Sequence, residues 1–173
     1  LRPKPRPLNI VDRRGVDLAP LDAADPDDAL RLLAYLWPDQ PERLTLTRAA
    51  IAVASTLPDA DDAAPWLAQR LAKPRQGMLH VLYSTIAAQY FPNATQAAIA
   101  DYLGKAGLSA TPDAPILHLA LEADARTPGA GLTATLWAGS GPKQMHLGRV
   151  DFHGRWIEWS PKAADPPFYP LGG

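Results

Sequence analysis

The run MLHVLYS, residues 78–84, decides the fold. It is almost wholly apolar and is bounded by Gly77 and Ser84. A short apolar run between turn residues reads as a buried strand rather than a helix. Helical signals stand on both sides of it. Upstream, Asp25 caps and Pro26 takes the first helical position, with Asp27 and Asp28 at the positive end of the dipole. Leu30, Leu33, Ala34 and Trp37 then recur at helical spacing until Pro38 stops the helix. A second helix starts at Pro41, capped by Asp39 or Gln40, and runs to about Leu57. A short third helix spans about 63–72. Downstream, TIAAQYF makes one or two turns, and a helix from Asn93 or Thr95 ends near Gly107.

After Gly107 the texture changes. PILHLALEAD, GLTATLWAG, QMHLGRVDF and RWIEWS read as strands, and His153-Gly154 suits a two-residue hairpin turn. Near the start, Leu8, Ile10 and Val11 suggest a short strand, with a second extended piece around Val16 and Leu18. Helices alternating with apolar strands predict an α/β layered sheet closed by an antiparallel hairpin or meander. The expected organisation is an extended basic, proline-rich segment over 1–7, one α/β domain over 8–160, and an irregular proline-rich tail over 161–173.

Composition narrows the chemistry. Among the 173 residues, 47% are hydrophobic and 20% charged, which is the profile of a globular chain. With no cysteine there is no disulfide framework, thiol nucleophile or cysteine-ligated metal site, as in a cytoplasmic protein. A net charge of −1 gives no global field for nucleic acid. No apolar run approaches the roughly 20 residues that span a bilayer. A small-molecule partner remains, and nothing reads on the oligomeric state. The first residue is Leu1, so the chain is expected to be part of a longer protein.

The candidate chemistry is sparse. His80, His118, His146 and His153 form no metal spacing, so no metal is expected, and His80 and His118 read as core or sheet-end residues. There is no GxxxxGK[ST] or GxGxxG. Ser84 lies in YSTIA, not in a GxSxG elbow, and His80 lies about 13 Å back along the same strand face. Hydrolase chemistry at Ser84 is therefore a remote alternative. Trp156 and Trp159, three apart, should face opposite sides of a strand, one of them in the core. The corner YLWPDQPERL, residues 35–44, lets Trp37 fill the gap between two helices. It also groups Asp39, Gln40 and Arg43, more hydrogen-bonding groups than one cap requires.

RRGVDLAPLD, WPDQPERL, LYSTIAAQYF and HGRWIEW together resemble the bacterial domain-of-unknown-function family 2332, with WPDQxxR the most specific string. The resemblance covers about residues 10–160. It implies a Rossmann-like, S-adenosylmethionine methyltransferase-type sheet that lacks its first strand, because the family's glycine-containing segment similar to the first methyltransferase motif is absent here. On that map 8–18 supplies the second strand, MLHVLYS the fourth and PILHLALEA the fifth. DADDAAPWL resembles the acidic turn after the third strand and brings Asp61 or Asp62 near an adenine. Asp17 and Asp62 become cofactor-side candidates. Asp39, Gln40, Arg43, Ser84 and Tyr90 become substrate-side candidates. S-adenosylmethionine is expected to bind only the full-length protein. A non-catalytic binding or assembly module on the same fold is the alternative, and it predicts an exposed apolar face on the late hairpins.

Overall fold

The computed structural model describes residues 7–163. They fall into two compact units, divided between Trp66 and Leu67.

In the first unit, β1 (Val16–Asp17) and β2 (Asp59–Ala60) form a parallel pair, with Val16 opposite Asp59 and Asp17 opposite Ala60. Between them run α1 (Pro26–Ala34) and α2 (Pro41–Val53). The entry to α1 follows from its sequence. Asp25 Oδ1 accepts the N–H groups of Asp27 at 2.9 Å and Asp28 at 3.1 Å, satisfying two donors that a helix start leaves open. Asp25→Ala is expected to cost about 1 kcal/mol, read as a lower urea midpoint; an unchanged midpoint would show the cap to be idle.

Several local expectations are corrected in this unit. The stretch 8–11 joins no ladder, because only 16–17 finds a partner strand. The partner, Asp59–Ala60, is a two-residue strand set in a polar turn and carries almost no apolar signal. The N-cap of α2 is Gln40, one of the two residues expected there, but it makes no side-chain cap bond, and the helix ends at Val53, short of Leu57. Trp37 does not fill a gap between helices: it is 68% exposed.

The boundary between units falls within α3 (Ala63–Leu71). The second unit holds a five-stranded sheet in the order β3-β4-β5-β6-β7. The strands are β3 (His80–Thr85), β4 (Ile116–Glu122), β5 (Ala130–Trp137), β6 (Pro142–Val150) and β7 (Ile157–Ala163). β3 and β4 are parallel, and all later pairs are antiparallel. The crossover from β3 to β4 carries a 3-10 turn (Ala88–Tyr90) and α4 (Asn93–Leu108), as a parallel connection requires.

One sheet face carries His80, Leu82 and Ser84 beside Ile116, His118, Ala120 and Glu122, then Trp137, Thr135 and Thr133. α4 packs here. A Cβ on Gly107 would stand 2.2 Å from the Trp137 ring, so glycine is what admits the indole. Leu67, Leu71, Leu103, Ile116, Ala130 and Trp137 are buried in this unit. The other face carries Val81, Tyr83, Leu117, Leu119, Leu121, Leu132, Leu136, Met145 and Trp159. It is apolar but open: Tyr83 is 70% exposed and Met145 42%.

The structure also corrects the readings of this half. MLHVLYS is an edge strand, half-buried on one face only, not a buried strand. The turn between β6 and β7 is not two residues but the six-residue loop 151–156. Asp151 organises it, accepting the N–H groups of His153 and Arg155 and both guanidinium contacts of Arg155. Trp156 lies in that loop, and neither it nor Trp159 is core. Of the two terminal segments, 161–163 belongs to β7, whereas 1–6 and 164–173 lie outside the described residues.

Candidate functional site

In the first unit, the carboxyl ends of β1 and β2 lie side by side. Asp61 N–H donates to the Asp17 carbonyl at 3.1 Å. Asp17 is exposed, and its Oδ1 accepts the Ala19 N–H at 2.8 Å. Asp62 Oδ1 accepts the Ala64 N–H at 2.8 Å and opens α3. Asp59 accepts the Trp66 indole N–H at 2.8 Å. Asp17 and Asp62, far apart in sequence, therefore stand on adjacent strand ends. The WPDQ corner is a separate feature of this unit. Gln40 N–H bonds to the Trp37 carbonyl, Arg43 donates to Gln40 Oε1 at 3.0 Å, and Asp39 is exposed. Gln40 and Arg43 thus fasten the first turn of α2.

In the second unit, Ser84 and Tyr90 flank a strained turn at the carboxyl end of β3. Ile86 has φ +50°, the only non-glycine residue with positive φ among those described. A β-branched side chain there costs on the order of 1–3 kcal/mol. Two anchors hold it. Ile86 N–H donates to the Leu121 carbonyl at 2.7 Å. The Glu122 carboxylate accepts Ala87 N–H at 3.2 Å through Oε2 and Ala88 N–H at 3.2 Å through Oε1. Tyr90 is 75% exposed at the end of this turn.

Sequence reasoning missed Glu122 and read His118 only as a core or sheet-end residue. Leu82 pairs with His118 and Ser84 with Ala120, so His118 and Glu122 flank the position opposite Ser84. Burial pushes the His118 imidazole below its ordinary value, against the raising pull of the Glu122 carboxylate. At neutral pH the ring is uncharged and carries a free lone pair. The available signal was the alternation in LHLALE, which sets His118, Ala120 and Glu122 on one face and three leucines on the other. Which strand would lie beside them was not readable.

No group of three or more histidine and acidic side chains fits a metal ion among the described residues. The small cavity lined by Leu71, His80 and Ile116, about 10 Å³, lies at the amino ends of β3 and β4 and holds no more than a water.

The architecture defines a mixed α/β protein with two parallel strand pairs, β1–β2 and β3–β4. The chain belongs to the domain-of-unknown-function family 2332, described as an uncharacterized protein conserved in bacteria, whose profile matches residues 1–159. No curated protein and no solved structure matches the chain. No described helix is long and apolar enough to cross a membrane.

Proposed function

We propose that this chain is part of an S-adenosylmethionine-dependent methyltransferase-like domain acting on a small molecule. The observation that carries the reading is the parallel pair β1–β2, with Asp17 and Asp61-Asp62 on neighbouring carboxyl ends. An exposed carboxylate at such an end suits a ribose hydroxyl pair, and the acidic turn before α3 suits an adenine edge. Asp17 and Asp62 would hold that side of the cofactor. The residues fit the nucleoside part only, since the sequence has no glycine-rich turn after a strand for the amino-acid part. We include in the proposal a further strand, outside this sequence, beside β3. The edge of β3 away from β4 has no partner strand among the described residues, and Val81 and Tyr83 beside it are exposed.

Thermal unfolding of the full-length family protein with S-adenosylmethionine tests the reading. A ligand that binds only the native state stabilises it by about 2.7 kcal/mol at a hundred times its dissociation constant. The melting temperature should therefore rise, and Asp17→Asn should blunt the rise. An unchanged melting temperature in millimolar ligand sinks the proposal.

A second reading, a non-catalytic binding or assembly module, is favoured by the open apolar face of Val81, Tyr83, Met145 and Trp159. Exposed apolar patches of this kind mark interaction surfaces. This reading requires no response to S-adenosylmethionine, and loss of association when Tyr83 is replaced by a charged residue.

A further inference from the structure

We propose that the groove between the carboxyl ends of α3 and α4 binds a small aromatic carboxylate, held by Tyr102, Lys105 and Ser109. The inference stands apart from the transferase reading. The residues that line the groove all belong to the unit with the five-stranded sheet. They lie by the amino ends of β3 and β4, since the groove shares Leu71, Pro74 and Ala106 with the small cavity that His80 and Ile116 line.

The sequence makes the space. Ala68 and Ala72, four residues apart, fall on one face at the end of α3. On α4 and its C-cap, Tyr102, Lys105, Ala106 and Ser109 follow at helical spacing. Both stripes line one groove, and their alanines leave it a volume of about 200 Å³. An apolar cavity of about 150 Å³ takes up benzene, so this volume suits one six-membered ring with one polar substituent. Leu71, Ala72 and Pro74 give the ring an apolar wall.

Charge selects the substituent. Every polar side chain that lines the groove can donate a hydrogen bond, and none is a carboxylate. Tyr102 is half-buried and makes no hydrogen bond to another described residue, yet no buried side-chain nitrogen or oxygen lacks a partner. Its hydroxyl is therefore open to a ligand. Lys105 donates to Asp101 at 2.6 Å, which leaves its ammonium group two further donors. The cations continue beyond the groove. Lys73 and Arg75 line the neighbouring cavity, and the sequence holds no acid between residues 63 and 100. The negative ends of the two helices act the other way, by about two- to five-fold in binding. Each is already answered by a base in its own last turn, Arg70 in α3 and Lys105 in α4. The balance favours an anion.

The test is NMR of the whole chain, titrated at low salt with benzoate, benzyl alcohol and benzylammonium and read at the backbone amides. Benzoate should shift the amides of residues 68–73 and 102–109 together and saturably, while those of the loop 151–156 stay still. Lys105 is 68% exposed, so solvent screens its charge. Benzoate should accordingly bind roughly five-fold more tightly than benzyl alcohol, and Lys105→Met should erase that preference. Asp101 does not line the groove but competes for Lys105, so Asp101→Asn should tighten benzoate about two-fold. Ala72→Leu, at an exposed position, should fill the groove and exclude benzoate and benzyl alcohol alike. A melting curve of each variant checks that the chain stays folded. The site is overturned if the benzoate shifts do not saturate or spread over the whole surface. It is also overturned if benzyl alcohol or benzylammonium matches benzoate, if Asp101→Asn weakens benzoate, or if Lys105→Met or Ala72→Leu leaves its titration unchanged. The titrations use no S-adenosylmethionine, so neither outcome of the melting experiment with that ligand bears on them.

Discussion

Replacing Arg149 with alanine is expected to lower stability by about 3 kcal/mol, the low end of the range for removing one partner of a buried ion pair. The low end applies because the Asp124 side chain keeps 22% exposure, against 12% for Arg149. The guanidinium gathers the whole β4–β5 connection. It meets Asp124 through two nitrogens at 2.9 and 3.1 Å, the Pro128 carbonyl at 2.7 Å and the Arg126 carbonyl at 2.8 Å, and it also reaches Gly129. Alanine leaves that carboxylate and those carbonyls without their donor. Lysine restores the charge but not the planar fork, so Arg149→Lys should recover less than half of the loss. The same clamp predicts a pH dependence. Arg149 holds the Asp124 carboxyl below its ordinary value, against burial, with help from the Arg126 N–H. A depressed folded pKa gives stability that is fully present above the ordinary aspartate value of about 3.9. It is lost as pH falls below that value, through the folded pKa. Urea midpoints from neutral pH down to about pH 3 should fall more steeply for the parent than for Asp124→Asn. Parallel slopes, or an alanine variant within about 1 kcal/mol of the parent, would show the clamp to be ornamental. A loosened clamp also acts on the candidate site. Glu122 lies two residues before Asp124, so the Ala87 and Ala88 amides should exchange faster in Arg149→Ala.

That clamp shows where the sequence was legible and where it was not. Asp25-Pro26, Asn93 to Leu108 and the four late strands were readable because caps, proline and periodicity act within a few residues. Arg149 and Asp124 are 25 residues apart, and no local rule pairs them. β2 is two residues of a polar turn, held by hydrogen bonds to the Gly15 and Asp17 carbonyls rather than by its own side chains. The apolar composition of MLHVLYS predicts a buried strand, yet a strand's burial depends on what lies beside it, and β4 lies on one side only. Ser84 is legible as a hydroxyl at the end of an apolar run, whereas its substrate-side role, like that of Tyr90, comes from the resemblance. Their neighbours Glu122 and His118 needed the register of β3 on β4, which composition does not encode. The WPDQxxR string carries the resemblance to the family most specifically, while its Gln40 and Arg43 bond to each other at the helix start.

Two glycines of α4 separate local preference from packing. At Gly104 an added Cβ meets nothing within 4 Å. Gly104→Ala should raise stability by about 0.4–1 kcal/mol, because alanine loses less backbone entropy and nothing is displaced. Gly107 has the same helical environment and the same intrinsic gain of about 1 kcal/mol. Its added Cβ, however, would lie 2.2, 2.5 and 2.6 Å from three atoms of the Trp137 indole. Trp137 is 4% exposed on the sheet, so the ring cannot swing aside without moving its neighbours. Overpacking of a filled core costs about 1–3 kcal/mol, and contacts this short on a rigid ring place Gly107→Ala at the upper end. The net expectation is a loss of about 2 kcal/mol. Gly107→Val, larger and β-branched, should lose more and release the Trp137 fluorescence toward that of a solvated indole. Chemical denaturation of the two alanine variants, three residues apart on one helix, gives the answer as a sign. If both stabilise, α4 does not press on Trp137, and this face of the sheet, with the Ser84–His118 pair on it, is less firmly covered than the structure describes.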